Sequence, residues 1–332
     1  MTNNIYTEVI PIILCINNIY CRQTAALIKS VIYNSKFSNY KFYILHSSVD
    51  ENNQKLLKQV FNAIEFINIQ EYIDKQSIEK YANTNKSIDY ISSEMYYRLF
   101  IPDIFKQYDK VLYLDSDMTV IKDISELYNI DIDNYYAGVV EGKIIKEFIK
   151  KNKKVDTYPQ YNWQQYLKLK LNKKDLRYFN SGMLLLNLKK LREDGIQQKM
   201  FEFLKKESPL EFPDQDVLNA FFDEKAKYLP EKYNTFHAAL KKETVIIHFV
   251  GKEKPWNYYK ANDSFEHFWK YLKLTPFWNT ENENIYKKLR ENYIVYKFLG
   301  IELFKMRQDE RHYKIKFLFI HLTVNKKWLK FF

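Results

Sequence analysis

The chain has 332 residues, of which 46% are apolar, and it carries a formal net charge of +11. This length supports a substantial core in one large domain, and two cysteines exclude a disulfide-stapled fold with more than one bridge. The basic balance favours anionic partners such as phosphates, acidic lipids or nucleic acid, although a solvated lysine-rich surface gives the same composition.

No apolar stretch approaches the ~20 residues that a membrane-spanning helix needs. The opening MTNNIYTEVIPIILCI has neither the basic start nor the cleavage site of a signal peptide. Cys15 and Cys21 lie in neither a CxxC nor a zinc spacing, which fits a reducing compartment. We therefore expect a cytoplasmic protein, either soluble or peripheral on the inner face of the cytoplasmic membrane.

The first 120 residues alternate between strand-like and helix-like patterns. Apolar runs predict strands at 9–16, 42–45, 64–69 and 111–114, and helical spacing predicts helices near 27–32, 56–61 and 92–105. This repetition predicts an α/β domain with a mostly parallel sheet that helices cover on both faces. Ligands of such sheets bind beyond the carboxyl ends of the strands.

The middle of the chain is less regular. Residues 141–178 are polar and lysine-rich, and we interpret them as a segment of helices and loops that covers the site. The pattern then predicts a strand at 183–188, a helix from about 191 to 206, a short helix at 217–222 and a strand at 244–249.

The character changes after about residue 285, where KFLGIEL at 297 recurs nineteen residues later as KFLFIHL at 316. The segment is rich in Lys and Arg and ends in three aromatic residues, Trp328, Phe331 and Phe332. Basic charge with aromatics suits attachment to an anionic membrane, and a small subdomain packed on the core is the alternative. The predicted division is a catalytic domain at 1–285 and a basic, aromatic tail or subdomain at 286–332.

The segment KVLYLDSDMTV, 110–120, ends a predicted buried strand in two carboxylates, Asp115 and Asp117. Residues i and i+2 of an extended segment project to the same side, so the pair could share one hard cation such as Mg²⁺ or Mn²⁺. A pair of surface turn aspartates is the alternative, and the position directly after four apolar strand residues favours the metal.

Three further segments carry polar groups. FNSG at 179–182 offers an amide, a hydroxyl and a close backbone approach before a strand, but it could be an ordinary turn. PDQD at 213–216 falls in a first helical turn, where carboxylates also serve as caps. IIHFVGKEKPWN at 246–257 places a histidine in a strand and a lysine behind a glycine turn, a pattern that can neutralise a diphosphate. A lone strand histidine is more often a core residue.

In the order Asp-x-Asp, FNSG, DQD and HxxGxxKPW, these motifs resemble glycosyltransferase family 8, the family of glycogenin and of bacterial lipopolysaccharide galactosyl- and glucosyltransferases. The resemblance covers roughly residues 8–257 and includes YYRLFIPDIF at 96–105, where the family places a basic residue near the donor. The lipopolysaccharide branch looks most similar because of the basic, aromatic tail.

The resemblance implies a GT-A fold, which is a Rossmann-like, mixed but mostly parallel sheet flanked by helices. It implies a retaining transferase that moves a hexose, galactose or glucose, from a UDP-sugar to a saccharide or lipid-linked glycan acceptor in surface-glycan synthesis. It also implies a Mn²⁺ ion, with Mg²⁺ as the alternative.

Carried over residue by residue, the resemblance assigns three groups of site residues. The metal ligands would be Asp115, Asp117 and His248. The donor sugar would be surrounded by Arg98, Asn180, Ser181, Asp214 and Gln215, of which Arg98, Asn180, Asp214 and Gln215 form the catalytic set. The nucleotide and its phosphates would contact Ser116, Gly251 and Lys254.

The first strand departs from the family pattern, which often has an Asp-rich run ending in Asn-Tyr. This chain has CINNIY, which puts Asn17 and Tyr20 at the places that would hold uracil and ribose. An asparagine can hydrogen-bond a base edge but carries no charge, so we expect a nucleotide sugar and leave uridine itself open.

The residues support a mechanism in which the metal and Lys254 neutralise the departing diphosphate. Gln215 is a poor nucleophile, which favours same-face attack through an ion-pair-like transition state over a covalent intermediate. Two alternatives remain at this point. A nucleotidyltransferase would release pyrophosphate, and a basic nucleic-acid-binding protein would use stretches such as 143–178. The nucleotidyltransferase does not account for the DQD and HxxGxxKPW motifs. A nucleic-acid-binding protein needs no metal cluster, and the charge of this chain is not organised into a known binding module, so we expect no nucleic-acid partner.

Overall fold

The computed structural model describes residues 9–36, 39–76, 93–257 and 263–291, and it describes four C-terminal segments as paired backbone strands. The central element is a seven-stranded sheet. Its strands are β1 (Val9–Cys15), β2 (Asn39–His46), β3 (Ile64–Asn68), β4 (Lys110–Leu114), β6 (Ala137–Glu141), β7 (Phe179–Asn187) and β8 (Ala226–Tyr228).

The spatial order of the strands is β3-β2-β1-β4-β7-β6-β8. Within this sheet β7 runs against both of its neighbours, β4 and β6, and the other described pairs are parallel. The mixed, mostly parallel sheet that the sequence predicts is therefore confirmed. The reversal of β7 matters for the site, because its first residues meet the carboxyl end of β4.

Helices flank this sheet along the chain. Their bounds are α1 (Cys21–Asn34), α2 (Glu51–Val60), α3 (Gln70–Gln76), α4 (Ile101–Ile104), α5 (Ser125–Tyr128), α6 (Lys143–Lys150), α7 (Trp163–Gln165), α8 (Leu188–Glu193), α9 (Ile196–Glu207), α10 (Pro213–Phe222), α11 (Asp263–Leu272) and α12 (Thr280–Glu291). A 3₁₀ helix at Ser93–Phe100 leads into α4, and a π-helix at Tyr166–Lys170 follows α7.

The sheet has a hydrophobic core on each face, because successive strand residues point to opposite sides. In β4, Val111 and Tyr113 belong to the core under α4, α8, α9 and α10, whereas Leu112 and Leu114 belong to the core under α1, α2 and α5. The continuous apolar runs of the sequence are thus strands that are buried on both sides.

Three local predictions need correction. The motif FNSG lies inside β7, because Phe179 and Asn180 pair with β6 and extend the strand at its start. The helix predicted from 191 to 206 is two helices, α8 and α9, separated at Gly195, whose φ of +60° is left-handed. The strand predicted at 244–249 is shorter, because β10 covers only Ile246–His248.

A second sheet of three short strands stands at the end of β4. Its strands are β5 (Met118–Val120), β9 (Thr235–Phe236) and β10 (Ile246–His248), in the order β5-β10-β9. Strand β10 is antiparallel to β5 and places His248 opposite Met118. The turn that carries Asp115 and Asp117 therefore connects the large sheet to the small one.

The C-terminal segment forms a four-stranded antiparallel sheet of β11 (Tyr293–Phe298), β12 (Ile301–Gln308), β13 (His312–Phe317) and β14 (Ile320–Asn325). The repeated KFL-x-I-x-L unit ends one strand and starts the next, first from β11 to β12 and then from β13 to β14. The three terminal aromatic residues, Trp328, Phe331 and Phe332, lie outside the described residues. Across the described part of the chain, no helix is long and apolar enough to cross a membrane.

Candidate active site

Two carboxylates and an imidazole meet where the two sheets join. Asp115 follows β4, Asp117 precedes β5, and His248 ends β10. One ligand atom from each residue lies within 4.8 Å of the other two. His248 Nε2 is 3.2 Å from Asp117 Oδ1 and 4.0 Å from Asp115 Oδ2. The three side chains that the family resemblance assigns to a metal are therefore grouped around a common point.

Gly182 forms one wall of this group. Its carbonyl oxygen accepts a hydrogen bond of 2.7 Å from the backbone N–H of Asp115. A Cβ at this position would collide with His248 Cε1 and would lie 2.8 Å from Asp115 Oδ2 and 2.9 Å from Met118 Cε. Only a residue without a side chain leaves room for the group, which accounts for the glycine in FNSG.

Arg98 is a buried guanidinium that ties three elements together. Nη2 donates to Asp115 Oδ1 at 2.9 Å, and Nη1 donates to both Oγ and the carbonyl oxygen of Ser181 at 2.9 Å. Nε lies 3.3 Å from Asp214 Oδ2. Burial acts to lower the pKa of Arg98, but Asp115, Tyr113 and Asp214 outweigh it and raise this pKa above its ordinary value. The guanidinium stays charged and bridges the carboxylates of Asp115 and Asp214.

Amide groups behind the carboxylates form a continuous chain with fixed directions. Gln215 Oε1 accepts from Ser181 N–H and from Asn180 Nδ2, both at 3.0 Å. Asn180 Oδ1 accepts from Gly182 N–H at 3.1 Å and from Asn234 Nδ2 at 2.9 Å. Because backbone N–H groups can only donate, they fix which end of each amide is the acceptor.

These hydrogen bonds determine which nitrogen of His248 carries the proton and which faces the carboxylates. Asn234 donates from Nδ2, so its Oδ1, 2.9 Å from His248 Nδ1, accepts the imidazole proton. In the neutral ring, Nε2 then carries the lone pair and faces the two carboxylates. Three acceptor atoms that face one another can hold a cation or share a proton, and a hydrogen bond to the other ring nitrogen is the usual support of a metal-binding histidine.

Lys254 closes the group on the side of Asp117. Its Nζ is 2.5 Å from Asp117 Oδ2 and also donates to the carbonyl oxygen of Phe249. Burial acts to raise the pKa of Asp117, but Lys254 and, when its Nε2 carries a proton, His248 hold that pKa well below its usual range. Gly251, between the histidine and the lysine, has φ +76°, so the left-handed backbone explains this glycine.

The two aspartates of the DQD motif have different surroundings. Asp214 pairs with Arg98 rather than capping its helix, and within the described residues its Oδ1 has no hydrogen-bond partner. Burial raises the pKa of Asp214, although Arg98 opposes the shift.

Asp216 accepts hydrogen bonds from the hydroxyls of Tyr178 at 2.5 Å and Tyr166 at 2.7 Å, and from Phe212 N–H at 2.8 Å. Burial raises the pKa of Asp216 to about 7 against these hydrogen bonds. Through the hydrogen bond from Phe212 N–H, Asp216 caps its helix, which is the alternative that the sequence analysis left open. The two tyrosines connect the segment 141–178 to this helix. Tyr178 also accepts from Gln215 Nε2 at 3.0 Å, so both ends of this amide are held.

The residues after β1 are engaged in local structure. Asn17 Oδ1 accepts from Ile19 N–H at 3.1 Å and caps the short 3₁₀ turn Asn18–Tyr20. The pKa of Tyr20 is raised to about 12, mainly by burial and further by the charges of Asp117 and Asp115. The roles of Asn17 and Tyr20 in holding a nucleotide stay predictions.

Ser116, which the family resemblance assigns to the nucleotide, is turned away from the carboxylates. Its Oγ accepts from Thr24 Oγ1 of α1 at 3.2 Å, in a buried position. Its assigned contact with the nucleotide stays a prediction. The site also contains three residues to which the sequence motifs gave no role, namely Tyr113, Tyr178 and Asn234. The Tyr113 hydroxyl donates to Asp115 Oδ1 at 2.6 Å, and Tyr178 and Asn234 act through partners that the fold brings close.

Comparison with known proteins identifies the relatives of this chain. The sequence model described as Glycosyl transferase family 8 matches residues 11–260. The chain is 27% identical over 283 residues to a lipopolysaccharide 1,2-glucosyltransferase of Escherichia coli, covering 80% of this chain and 78% of that protein. It is 28% identical over 276 residues to the glycosyltransferase GlyF of Streptococcus pneumoniae, of which the match spans 61%.

Solved structures show the same architecture. The crystal structure of the galactosyltransferase LgtC with donor and acceptor sugar analogs aligns with a TM-score of 0.68 at 22% identity, over 83% of this chain and 100% of that one. The bifunctional glycosyltransferase WbbM aligns with a TM-score of 0.71 at 24% identity, over 87% of this chain but only 53% of its own. The expected GT-A fold is confirmed.

Proposed function

The chain belongs to glycosyltransferase family 8 and is a glycosyltransferase, and on that premise we propose that it transfers a hexose from a UDP-sugar to a saccharide acceptor, with a divalent metal and with retention. The observation that carries the proposal is the grouping of Asp115, Asp117 and His248 around one point. Because the chain belongs to a glycosyltransferase family, the alternative function of a nucleotidyltransferase is rejected.

The donor set fits a divalent ion. Two carboxylate oxygens and an imidazole nitrogen face one another, and the imidazole favours Mn²⁺ over Mg²⁺. Asp115, Asp117 and His248 would hold the ion. When bound, it supplies Lewis-acid neutralisation of a diphosphate leaving group.

The chain's own residues bind and orient the donor. The buried Oδ1 of Asp214 can accept a hydrogen bond from a sugar hydroxyl, which would satisfy its otherwise uncompensated burial. Arg98 keeps Asp214 in place, and Gln215 is held at both ends by Ser181 and Tyr178. Lys254 would contact the diphosphate, where a positive charge stabilises the developing negative charge.

In the proposed reaction, the bond between sugar C1 and the phosphate oxygen breaks, and its electron pair leaves with the nucleoside diphosphate. The acceptor hydroxyl oxygen forms the new bond to C1 on the same face, and its proton passes to the departing diphosphate. The amide of Gln215 is not a nucleophile strong enough for a covalent intermediate, which supports this single-step course.

The relatives suggest the acceptor. Curated relatives are named as lipopolysaccharide 1,2-glucosyltransferase and lipopolysaccharide 1,3-galactosyltransferase. We propose galactose or glucose as the transferred hexose, and a lipopolysaccharide or another bacterial surface glycan, free or lipid-linked, as the acceptor. The choice between these hexoses depends on the residues around C4 of the sugar, a question that a donor screen answers.

A screen of sugar nucleotides with Mn²⁺, scored for release of the nucleoside diphosphate, tests the proposal, because slow hydrolysis by water reveals the donor without its acceptor. Asp117→Asn should abolish the Mn²⁺-dependent reaction and leave the circular dichroism spectrum unchanged. Asp133→Asn, at an exposed aspartate outside the site, is the matched control. Equal Mn²⁺-dependent turnover by both variants would contradict the metal site, and an inverted product anomer would contradict retention.

We further propose that residues 286–332 attach the catalytic domain, 1–285, to an anionic membrane on the cytoplasmic side. The register of the C-terminal sheet supports this proposal. Lys305 lies opposite Lys316, and Arg307 lies opposite Lys314. Directly opposite residues share a face of a sheet, so this register assigns four basic residues to one face, as attachment to an anionic surface requires.

Vesicle flotation tests this attachment. The full chain should float with vesicles that contain phosphatidylglycerol and not with neutral ones. Changing Lys305, Arg307, Lys314 and Lys316 to Gln should abolish flotation. Four exposed lysines of the catalytic domain, changed in the same way, control for net charge: Lys55, Lys151, Lys168 and Lys205. Equal loss in both variants would mean that the sheet is not the attachment surface.

A further inference from the structure

Lys254 forms a shielded ion pair with a residue of the metal group. The side chains of Lys254 and Asp117 are only 15% and 16% exposed, and Nζ lies 2.5 Å from Asp117 Oδ2. The ammonium has a second fixed partner in the carbonyl oxygen of Phe249. A pair of this kind is screened less by solvent than an exposed ion pair, so it neutralises most of the charge of Asp117.

Asp117 divides its two oxygens between two partners. Oδ2 contacts Lys254, and Oδ1 faces His248 Nε2 at 3.2 Å. A divalent ion that binds Oδ1 would therefore share one carboxylate with an ammonium ion. Two cations on one carboxylate repel each other, and each weakens the attraction that the carboxylate has for the other.

The charges of the site give the same result. Asp115, Asp117 and Asp214 contribute three negative charges, and Arg98 and Lys254 contribute two positive charges in contact with them. These five groups leave a net charge of one negative unit. A divalent ion alone would turn this into one uncompensated positive charge in a half-buried place, whereas an ion together with a diphosphate leaves the net charge as it was.

The segment that carries Lys254 is anchored on both sides. On one side, Phe249 N–H donates to the carbonyl oxygen of Asp117 at 2.9 Å. On the other side, Trp256 packs on Phe268 with ring centroids 5.1 Å apart. Between these anchors, the four-carbon stem of Lys254 can change rotamer and carry its ammonium from a carboxylate to a nearby phosphate.

We propose that Lys254 is a built-in competitor for the charge of Asp117: it holds this carboxylate until a diphosphate arrives and then transfers to the phosphate, so that metal and nucleotide bind together. This inference rests on the proposed metal-dependent function. It assigns the lysine an action on the metal itself, in addition to its contact with the diphosphate. By linkage, the nucleotide must then tighten metal binding by the same factor as the metal tightens nucleotide binding.

Mn²⁺ binding to the full chain, followed by titration calorimetry and by electron paramagnetic resonance of free Mn²⁺, tests the proposal without turnover. Lys254→Met removes the competing charge, and Lys254→Gln keeps a donor for the Phe249 carbonyl. Without nucleotide, both variants should bind Mn²⁺ about tenfold more tightly than the parent chain. With UDP present, the gain in Mn²⁺ affinity that the parent chain shows should shrink by about the same factor.

Lys252→Met is the matched control, because Lys252 is exposed, lies on the same loop and carries the same charge. It should change Mn²⁺ affinity by less than about twofold. The proposal is overturned if the Lys254 variants bind Mn²⁺ no more tightly than the parent chain, or if Lys252→Met tightens binding equally.

Asp117→Asn separates this inference from the function on which it rests. If Asp117→Asn loses Mn²⁺ binding while the Lys254 variants bind like the parent chain, the metal site stands and only the role of the lysine fails. If Asp117→Asn binds Mn²⁺ as well as the parent chain, or if no variant binds Mn²⁺ even with UDP, the proposed metal site fails and the lysine proposal fails with it.

Discussion

Replacing Gly182 with alanine is a steric test of the site, because it adds a single methyl group. The new Cβ would collide with the imidazole of His248 and lie 2.8 Å from Asp115 Oδ2 and 2.9 Å from Met118 Cε. Carbon atoms are in favourable contact at about 3.5–4.0 Å, so these neighbours must move by roughly 0.6–1.6 Å, the imidazole of His248 by the most. Two of the three are proposed metal ligands, and both are held by buried partners, which leaves little room for relaxation.

The effect on stability should be modest and the effect on activity large. Overpacking of a buried place costs about 1–3 kcal/mol, and replacing glycine in a strand regains about 0.5–1 kcal/mol. The net loss of unfolding free energy should therefore be about 0–2.5 kcal/mol. A displacement of about 1 Å at catalytic groups lowers the rate about a hundredfold, so donor hydrolysis should fall by that order.

Urea unfolding, Mn²⁺ binding and donor hydrolysis should be measured on the same preparation. Gly138→Ala is the matched control, since a Cβ there would lie 2.9 Å from Leu229 Cδ1, in the same sheet but against a side-chain methyl that can turn away. It should lower stability slightly and leave Mn²⁺ affinity unchanged. If Gly182→Ala keeps the Mn²⁺ affinity and hydrolysis rate of the parent chain, the wall that we assign to Gly182 does not constrain the ligands.

Three further predictions follow from buried polar groups. The pKa of Asp216 is raised from 3.8 to about 7, so its contribution to stability is full below about pH 4 and is lost as the pH rises through 7. Relative to Asp216→Asn, the unfolding free energy of the parent chain should fall by up to about 4 kcal/mol over that range in urea titrations. Parallel pH curves for the two proteins would refute the assignment. Tyr178→Phe removes the acceptor of Gln215 Nε2 and should lower kcat more than it raises KM, whereas a pure KM effect would show that Gln215 needs no such support. Asn234→Ala removes the hydrogen-bond partner of His248 Nδ1 and should weaken Mn²⁺ binding about 10- to 100-fold in calorimetry, and an unchanged affinity would mean that the imidazole is oriented by its strand alone.

The fold was predictable because its central strands are buried on both sides. Continuous apolar runs, separated by helical spacing, indicate a parallel sheet without any knowledge of pairing. The reversal of β7 was not predictable from 183–188 alone, because an apolar run has no direction. It is the pairing of Phe179 and Asn180 with β6 that extends the strand and brings FNSG to the end of β4.

The site was predictable where its residues are contiguous and lie at element ends. Asp115 and Asp117 are two residues apart in the sequence, and the family resemblance assigned His248 as their partner. Asn234 could not be found in this way, because nothing around it in the sequence distinguishes it from other loop asparagines. Its role depends on a chain of hydrogen bonds that starts at two backbone N–H groups of another strand.

The proposed ligands belong to different layers of the molecule, since Asp115 ends a strand of the seven-stranded sheet and His248 ends a strand of the three-stranded one. A cation bound between them would link the two sheets. It would bind the native arrangement and not the unfolded chain, so thermal resistance would rise with its free concentration. A chelator in a purification buffer would remove this ion and destabilise the contact between the two sheets. The junction would then unfold locally before either sheet did.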